Sequence, residues 1–318
     1  MIRLLAILAV LLLASWTVRA EDYPARSLRI IAPYAPGGQT DILARLIAQP
    51  LAEALGRPVV VENRPGANGV LGHDLGAKAP PDGATLLLGN SAMLSVMPNL
   101  ANLPYDPKRD FAPVVLVAGG PLVLEVPPAL PVVTVQDLIA LSRQRPGGLN
   151  HGLGGFGTIH HLLAEMLRSR YGAVWANVPY RGSGPMLVDL MAGRLDLAFD
   201  NTSSSAGYLR EGQLRAIAVT RRTPLLPGVP TLEEQGFPDT DAVAWHGVLA
   251  PSGTPGPLVE QLNAALVAII RHPATRAKLA DLGLDPIASS AAEFQAFILA
   301  ENERWGGVIR ASGTRLED

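Results

Sequence analysis

The chain has 318 residues, of which 48% are hydrophobic and 5% aromatic, with 26 basic residues, 28 acidic residues and no cysteine. The absence of cysteine excludes disulfides, thiolate metal sites and cysteine nucleophiles. The opposite charges are nearly balanced and interspersed, which argues against nucleic acid as a partner, because binding it requires a concentrated basic face.

The first twenty residues have the three parts of a secretory signal peptide. Arg3 supplies a positive charge, Leu4 to Trp16 form a short apolar run, and Val18-Arg19-Ala20 is a small-x-small cleavage site. The apolar run is shorter than the ~20 residues that a membrane-spanning helix needs. We therefore expect residues 1–20 to be cleaved after Ala20 and the mature chain to be exported to the periplasm.

Strand-like apolar segments alternate with helical patterns through the mature chain, which predicts an α/β fold. In chain order, the predicted strands are Leu28–Ala32, Val59–Glu62, Thr85–Gly89, Val174–Val178, Leu195–Phe199, Leu214–Thr220 and the centre of 241–251. The predicted helices are Thr40–Leu55, Val70–Ala79, Val135–Arg143, Thr158–Arg170, Pro185–Ala192, Pro257–Arg271, Ala274–Leu282 and Ala292–Ile309. Pro50 should kink the first helix or end it early.

The length of the mature chain exceeds that of one ordinary hydrophobic core and predicts two lobes. The apolar segment Val114–Val126, interrupted by Gly119-Gly120-Pro121, is the expected crossing between them, and 241–251 is the expected return. We expect the last two helices to pack on the first lobe. The predicted division is residues 21–120 plus 245–318 for lobe 1 and residues 121–244 for lobe 2.

Four short segments place glycine or small polar residues where a predicted strand ends and a helix begins. They are 36–41 (PGGQTD), 89–92 (GNSA), 152–158 (GLGGFGT) and 200–203 (DNTS). Backbone N–H groups at such a point, together with the positive end of the helix dipole, form a receptor for a carboxylate or a phosphate. Ordinary turns and helix caps, with Thr40 or Asp41 as the first cap, are the alternative interpretation.

The third segment contains a literal GxGxxG pattern, which alone is weak evidence for dinucleotide binding. A dinucleotide site needs a strand before the glycines and an acidic residue about twenty positions later. Here the preceding stretch, Arg145-Pro146-Gly147-Gly148, is a poor strand, and the position twenty after Gly157 is Asn177. These features do not favour an oxidoreductase.

Catalytic patterns are sparse. His160-His161 and Glu165 give a His/Glu pair on one helix, but the chain has no HExxH motif, no GxSxG elbow and no Walker A lysine. A packed or capping pair explains these residues better than a metal site. We therefore expect no catalytic residues, no metal and no cofactor, and a secreted hydrolase is the weaker alternative.

Taken in order, the motifs resemble the substrate-binding receptors of the tripartite tricarboxylate transporter family, the Bug proteins, over essentially the whole mature length. The resemblance rests on YPARSLRIIAPYAPGGQTD, VVVENRPGANG, PPDGATLLLGN, LPYDPKRDFAPV, VPYRGSGPMLVDLMAGRLDLAFDN, LRAIAVT, LPGVPTLEEQG and APSGTPGPLVEQLN. It implies a type II periplasmic-binding-protein fold, in which two α/β lobes joined by two crossing segments close on a ligand in the cleft.

The resemblance also implies which residues contact a ligand carboxylate. Carried over to this chain, they are Tyr34, Gly38, Thr40, Asp41, Asn68, Ser91, Gly154, Gly155, Thr158, His161, Arg181 and Asp200. The partners it implies are a small organic carboxylate and the membrane subunits of a tripartite tricarboxylate-type transporter, with the receptor acting as a monomer. A periplasmic sensor subunit would use the same cleft and is the alternative.

Two positions depart from the family pattern. Leu153 and Phe156 occupy the second-lobe glycine loop, where family members commonly have a small polar residue and an asparagine. A more apolar cleft would favour an aromatic carboxylate over a small dicarboxylate. The residues alone leave dicarboxylates, tricarboxylates, amino acids and aromatic acids open.

Overall fold

A computed structural model describes residues 27–180 and 182–316. The strands are β1 Leu28–Ala32, β2 Val59–Asn63, β3 Thr85–Asn90, β4 Phe111–Val126, β5 Leu149–Leu153, β6 Trp175–Pro179, β7 Leu197–Asn201, β8 Arg215–Val219, β9 Val243–Pro251 and β10 Asp285–Pro286. The α-helices are α1 Gln39–Leu55, α2 Val70–Ala77, α3 Val135–Gln144, α4 Ile159–Tyr171, α5 Ser183–Met191, α6 Thr202–Arg210, α7 Gly256–Arg271, α8 Pro273–Asp281 and α9 Ala291–Ser312. No helix in this described part is long and apolar enough to cross a membrane.

The strands form one mixed sheet in the order β2-β1-β3-β9-β4-β7-β5-β6, and β8 and β10 add to β4. Within it, β1, β2 and β3 are parallel to one another, as are β5, β6 and β7. The long strands β4 and β9 run antiparallel in the middle and connect these two parallel groups. The alternation of strands and helices predicted an α/β fold, and the structure confirms it.

The long strand β4 changes partners along its length. Its first part pairs with β9 as far as Pro121, and its last five residues, Leu122–Val126, pair with β7 and β8. Gly119 and Gly120 continue the strand instead of interrupting it. A Cβ atom at Gly120 would lie 2.8 Å from the carbonyl oxygen of Gly283, so close backbone packing requires glycine at this position.

Two large hydrophobic clusters lie on the two sides of this crossing. In the first, α1 and α7 pack on β1, β3 and the start of β4. In the second, α3 and α4 pack on the end of β4 and on β5 and β7. The last helix, α9, was expected to pack on lobe 1, and it contacts both of these regions. Phe294 joins the first-half residues around Trp245, whereas Trp305 is buried among the second-half residues.

Three local features differ from the sequence analysis. Helix α1 does not end at Pro50 but continues to Leu55, because its stripe of buried side chains packs on the sheet and outweighs one lost hydrogen bond. Strand β5 was missed, because Leu149–Leu153 contains no β-branched or aromatic residue. Helix α6, Thr202–Arg210, was also missed, because its run of small polar residues has the composition of a loop.

Candidate functional site

The candidate site is the gap at which strand ends from the two halves point toward each other. Strand β3 ends at Asn90, level with His246 of β9 and, through β9, with Ala118 of β4. Strand β7 runs the opposite way along β4 and ends at Asn201, level with Leu122. These two levels are four residues apart on β4, roughly 13 Å along the strand. Ligands of α/β sheets bind outside the carboxyl ends of strands, and here two such ends open on one gap.

The glycine loop after β1 has a left-handed turn that a carboxylate braces. Gly37 has the left-handed φ of 84°, and Gly38 is the N-cap of α1 with no side chain to cap the helix. Neither Thr40 nor Asp41 is therefore the N-cap. Asp41 instead accepts the N–H of Gly37 over 2.9 Å, from the first turn of the helix back to the loop.

The other contacts of Asp41 also lie within the chain. Arg45 donates to both carboxylate oxygens over 3.0 and 3.1 Å, and the side-chain amide of Asn63 donates to Oδ1 over 2.9 Å. The hydrogen bonds from Arg45, Gly37 and Asn63 lower the pKa of this buried carboxyl to about 2. Asp41 was predicted to contact a ligand, but its geometry is that of an anionic brace for the glycine loop.

Tyr34 and Asn90 form a polar pair at the end of β3. The Asn90 side-chain amide donates to the Tyr34 hydroxyl oxygen over 2.8 Å, which leaves the tyrosine proton for an acceptor. Burial raises the pKa of Tyr34, so the phenol stays neutral. Gly69 lies so close that a Cβ atom there would be 2.8 Å from the hydroxyl oxygen. The close packing of Gly69 fixes the position of the tyrosine ring.

Thr40 lies against a histidine that the sequence did not assign to the site. The Oγ1 atom of Thr40 is 3.5 Å from Nε2 of His246, and both side chains are buried. Burial lowers the pKa of His246 to about 4, which makes the imidazole neutral at physiological pH. Within the described chain, its Nδ1 has no hydrogen-bond partner. His246 was not assigned to the site, because its neighbour Trp245 is typical of a hydrophobic core; a histidine in an apolar strand was the available signal.

Two further predicted residues near the end of β3 differ in their exposure to solvent. Ser91 is buried directly after β3, at the start of the short helical segment Ala92–Val96. Asn68 is exposed in the loop after β2 and has a left-handed φ of 53°. An asparagine tolerates that backbone conformation better than most residues.

The second glycine loop contains Gly154, Gly155 and Thr158 at the N-terminus of α4. The carbonyl of Gly154 accepts the N–H of Gly182, and the carbonyl of Gly155 accepts the Thr158 hydroxyl over 2.9 Å. Thr158 is the N-cap and accepts the N–H of His161 over 3.3 Å. The loop carbonyls are thereby occupied, while the positive end of α4 points to the gap.

His161 is buried toward the body of its own helix. The N–H of Gly157 donates to its Nδ1 over 3.4 Å, its Nε2 is 3.7 Å from Glu165, and the ring of Phe156 packs edge-on against it. Phe156, His161 and Glu165 line a cavity of about 460 Å³ between α4 and the end of α9. Arg168 lies on the same cavity and binds both oxygens of Glu165. His161 therefore supports the loop from behind.

Asp200 lies at the end of β7, where the sequence placed it. The Ser183 hydroxyl donates to Oδ1 over 2.6 Å, and Oδ2 has no hydrogen-bond partner in the described chain. Burial raises the pKa of Asp200, whereas His160 and Ser183 act in the opposite direction. Arg181, the remaining predicted ligand residue, lies outside the described residues.

The described residues contain no group of three or more histidine, aspartate or glutamate side chains placed to hold a metal ion. Glu165, which pairs with His161 on α4, accepts hydrogen bonds from Arg168 and Asn177. Asn177 in turn bonds His151 over 2.8 Å. This network packs α4 against β5 and β6.

Comparison with known proteins places the chain in a family. The model of the tripartite tricarboxylate transporter family receptor matches residues 43–314. The protein BugT of Bordetella pertussis is 38% identical over 327 aligned positions, which cover 100% of this chain and 99% of BugT. The chain therefore has a full-length relative among the Bug proteins.

Solved structures agree with the fold. An R. palustris protein with adipate is 38% identical and has a TM-score of 0.80, with 92% of this chain and 98% of that chain covered. MatC from Rhodopseudomonas palustris with bound malate is 33% identical and has a TM-score of 0.78, with coverage of 90% and 100%. The periplasmic binding protein BugD is 31% identical and has a TM-score of 0.78, with coverage of 93% and 100%.

These likenesses confirm the periplasmic-binding-protein fold that the motifs predicted. The family consists of solute-binding receptors, and nothing in the comparisons points to catalysis. The chain belongs to the tripartite tricarboxylate transporter receptor family and is a solute-binding receptor of the Bug type.

Proposed function

We propose that this receptor holds a small organic carboxylate in the gap between the facing ends of β3 and β7 and delivers it to the membrane subunits of a tripartite tricarboxylate-type transporter. The facing strand ends carry the proposal. Each half brings a glycine loop and a helix N-terminus to the same gap. Each end of a ligand with two anionic groups can therefore bind one glycine loop and its helix N-terminus.

The polar groups around the gap suit carboxylate oxygens. The backbone N–H groups of Gly38, Gly154 and Gly155 and the hydroxyls of Tyr34 and Thr158 belong to segments that begin or precede the two helices. Thr40, Asn68, Ser91 and Arg181 are further contacts by family resemblance. Asp41 and His161 act indirectly, because their side chains hold the loops in shape.

A dicarboxylate is the favoured ligand class. Two family members have been solved with adipate and with malate, both dicarboxylates. The apolar substitutions in the second glycine loop do not argue strongly for an aromatic acid, because Leu153 is buried in the fold and Phe156 packs on His161. A small diacid therefore fits the polar character of the gap better.

The mechanism follows from the crossing strands. We assign residues 21–120 plus 245–318 to one lobe and residues 121–244 to the other, and rotation at the β4–β9 crossing closes the gap. The end of α9 reaches from the first lobe to the core of the second. The ligand favours the closed form, because only that form brings both lobes into contact with it. The receptor is exported with cleavage after Ala20, acts as a monomer, and is recognised by the membrane subunits in its closed form.

A thermal-shift screen of residues 21–318 tests the proposal. Adipate, malate, citrate and benzoate are compared with neutral controls, namely the diamide of adipic acid and a set of sugars. A ligand at a hundred times its Kd stabilises the folded state by about 2.7 kcal/mol, a rise in Tm on the order of 5 °C for a chain of this size. Stabilisation by the neutral compounds alone would contradict the carboxylate receptor, and benzoate as the best ligand would replace the dicarboxylate.

A further inference from the structure

A glutamate lies buried beneath the candidate site on the strand that connects the two halves. Glu125 of β4 has no solvent exposure and stands in an otherwise apolar run, level with Ala198 of β7. Its Oε1 accepts a hydrogen bond from the Ser205 hydroxyl over 2.8 Å, and its Oε2 has no partner within the described residues. A buried ionised carboxylate with so little compensation is costly, which indicates that the group is neutral.

A second buried carboxyl lies diagonally across the two strands from Glu125. Val123 pairs with Asp200 and Glu125 pairs with Ala198, so the side chains of Glu125 and Asp200 stand on the same face of the sheet. Asp200 accepts the hydroxyl of Ser183, the first residue of α5 beside the second glycine loop, and its Oδ2 has no hydrogen-bond partner within the described residues. Glu125 therefore lies directly behind a carboxyl at the wall of the gap.

The surroundings of Glu125 place a proton on this carboxyl. Among the described residues the Ser205 hydroxyl is its one hydrogen-bond donor, which does not offset the burial of a full charge. Burial raises the pKa of Glu125 well above its usual range, and the charge of Asp200 raises it further. Glu125 is thus the member of the pair that keeps the proton.

No buried cation offsets a second negative charge here. Among the described groups, the titratable side chains that interact with the pair are the two carboxyls themselves and His160 of α4. Burial lowers the pKa of His160, so the imidazole is neutral at physiological pH. Ionisation of Glu125 would therefore place two negative charges behind a gap that receives an anion.

We propose that Glu125 is a specificity-determining positioning residue: it holds a proton beneath Asp200, and an anionic ligand binds tightly only while that proton is in place. The inference rests on the proposed carboxylate function. When Glu125 loses its proton to solvent, the bound anion is repelled. Binding of the anion then draws one proton back from solvent onto Glu125, which is neutral again in the complex.

The test is the pH profile of adipate binding, measured by titration calorimetry from pH 5.5 to 9 on the mature protein and on Glu125→Gln. Glutamine keeps the size of the side chain and an acceptor for Ser205 but cannot ionise. We expect the affinity of the wild type to fall by about tenfold or more as Glu125 ionises, and that of Glu125→Gln to change by less than about threefold over the same step. Titrations in two buffers of different ionisation enthalpy should show proton uptake by the wild type alone.

Glu301→Gln is the matched control, since Glu301 is also buried but is satisfied by Arg304 and Trp305. It should keep the wild-type pH profile. Ser205→Ala removes the hydroxyl that donates to Glu125 and should move the fall in affinity to higher pH, because the ionised carboxylate loses that hydrogen bond. Parallel profiles for wild type and Glu125→Gln would overturn the inference while leaving the carboxylate function intact.

A readout without ligand separates the two proposals. The unfolding midpoint of Glu125→Gln should rise relative to that of the wild type as the pH increases, because only the wild type must bury an ionising acid. If neither protein binds adipate or malate at any pH, the proposed function fails. If this pH-dependent difference in unfolding is also absent, the assignment of the proton to Glu125 fails separately.

Discussion

Replacing Asp41 with asparagine tests whether this carboxylate braces the first glycine loop or contacts the ligand. The asparagine amide has one acceptor oxygen, whereas the carboxylate receives hydrogen bonds from Gly37, Arg45 and Asn63. At least one of these donors would then face the NH₂ group of the new side chain. Asp41→Asn therefore loses both charge and geometry at a buried position.

The expected loss can be estimated contact by contact. The Arg45 ion pair contributes only about 0.5–1 kcal/mol, because the arginine side chain is half-exposed and screened by solvent. A buried N–H left without its charged acceptor costs about 1–2 kcal/mol more. We expect Asp41→Asn to lower the free energy of unfolding by roughly 1.5–3 kcal/mol at pH 7.

The pH dependence has a definite sign. The folded pKa of Asp41, about 2, lies below the ordinary value, so its contribution is full above pH ~4 and is lost as the pH falls toward 2. The difference between Asp41→Asn and wild type should thus be constant from pH 5 to 8 in urea unfolding followed by tryptophan fluorescence. Glu53→Gln, an exposed change on the same helix, should have little effect.

The ligand assay decides between the two roles. A brace predicts that Asp41→Asn loses stability and adipate affinity together. Unchanged stability combined with lost affinity would refute the brace and return Asp41 to the set of direct ligand contacts. Unchanged values for both would show that the contacts of this carboxylate contribute nothing to the loop.

Two further predictions concern the core. Burial lowers the pKa of His73, His151 and His246 to about 4. The free energy of unfolding should therefore fall by up to ~3 kcal/mol for each histidine as the pH drops from ~6.5 toward 4, which urea midpoints at several pH values measure. A flat profile would show that these rings accept protons without unfolding. Gly247→Ala would place a Cβ atom 2.2 Å from Cζ of buried Phe294, and a loss of about 1–3 kcal/mol in unfolding free energy is expected; wild-type stability would show that the ring can move.

Most strands were predictable because their residues are β-branched and buried. Strand β1, Leu28–Ala32, was predicted with its observed bounds, and β3 was predicted to within one residue. Strand β5 could not be predicted from composition, because its ladder is supplied by β6 and β7 on either side. Pairing with these neighbouring strands stabilises β5, and the residues of Leu149–Leu153 alone do not indicate that pairing.

The glycine loops were also predictable, but the directions of their side chains were not. Glycine before a helix signals a backbone site whatever its neighbours are, so Gly38 and Gly154 lie at helix starts as expected. Asp41 and His161 are turned inward by Arg45 and Glu165, which are partners one helical turn further along the chain. Helical spacing makes such partners possible, but packing decides whether they are used.

Glu125 shows a signal that the sequence contained and that was not used. It is the single charged residue in the apolar run Pro121 to Val126, and a lone acid in a buried strand requires a compensating group. Its serine partner lies 80 positions later, on a helix that composition did not predict. The lone acid could have been flagged, but its connection to Asp200 required the structure.

The GxGxxG segment shows how the structure changes one argument made from the sequence. A poor preceding strand was part of the case against a dinucleotide site, yet β5 does precede the loop. The second argument was the lack of an acidic residue about twenty positions after the glycines, and the structure strengthens it. Asn177 occupies that position, lies within β6 and hydrogen-bonds His151 and Glu165. The glycine loop after β1, which faces this one, favours a site for a small anion. Two glycine loops that open on one gap make a receptor for a small anion held from both sides, which a single phosphate-binding turn does not require.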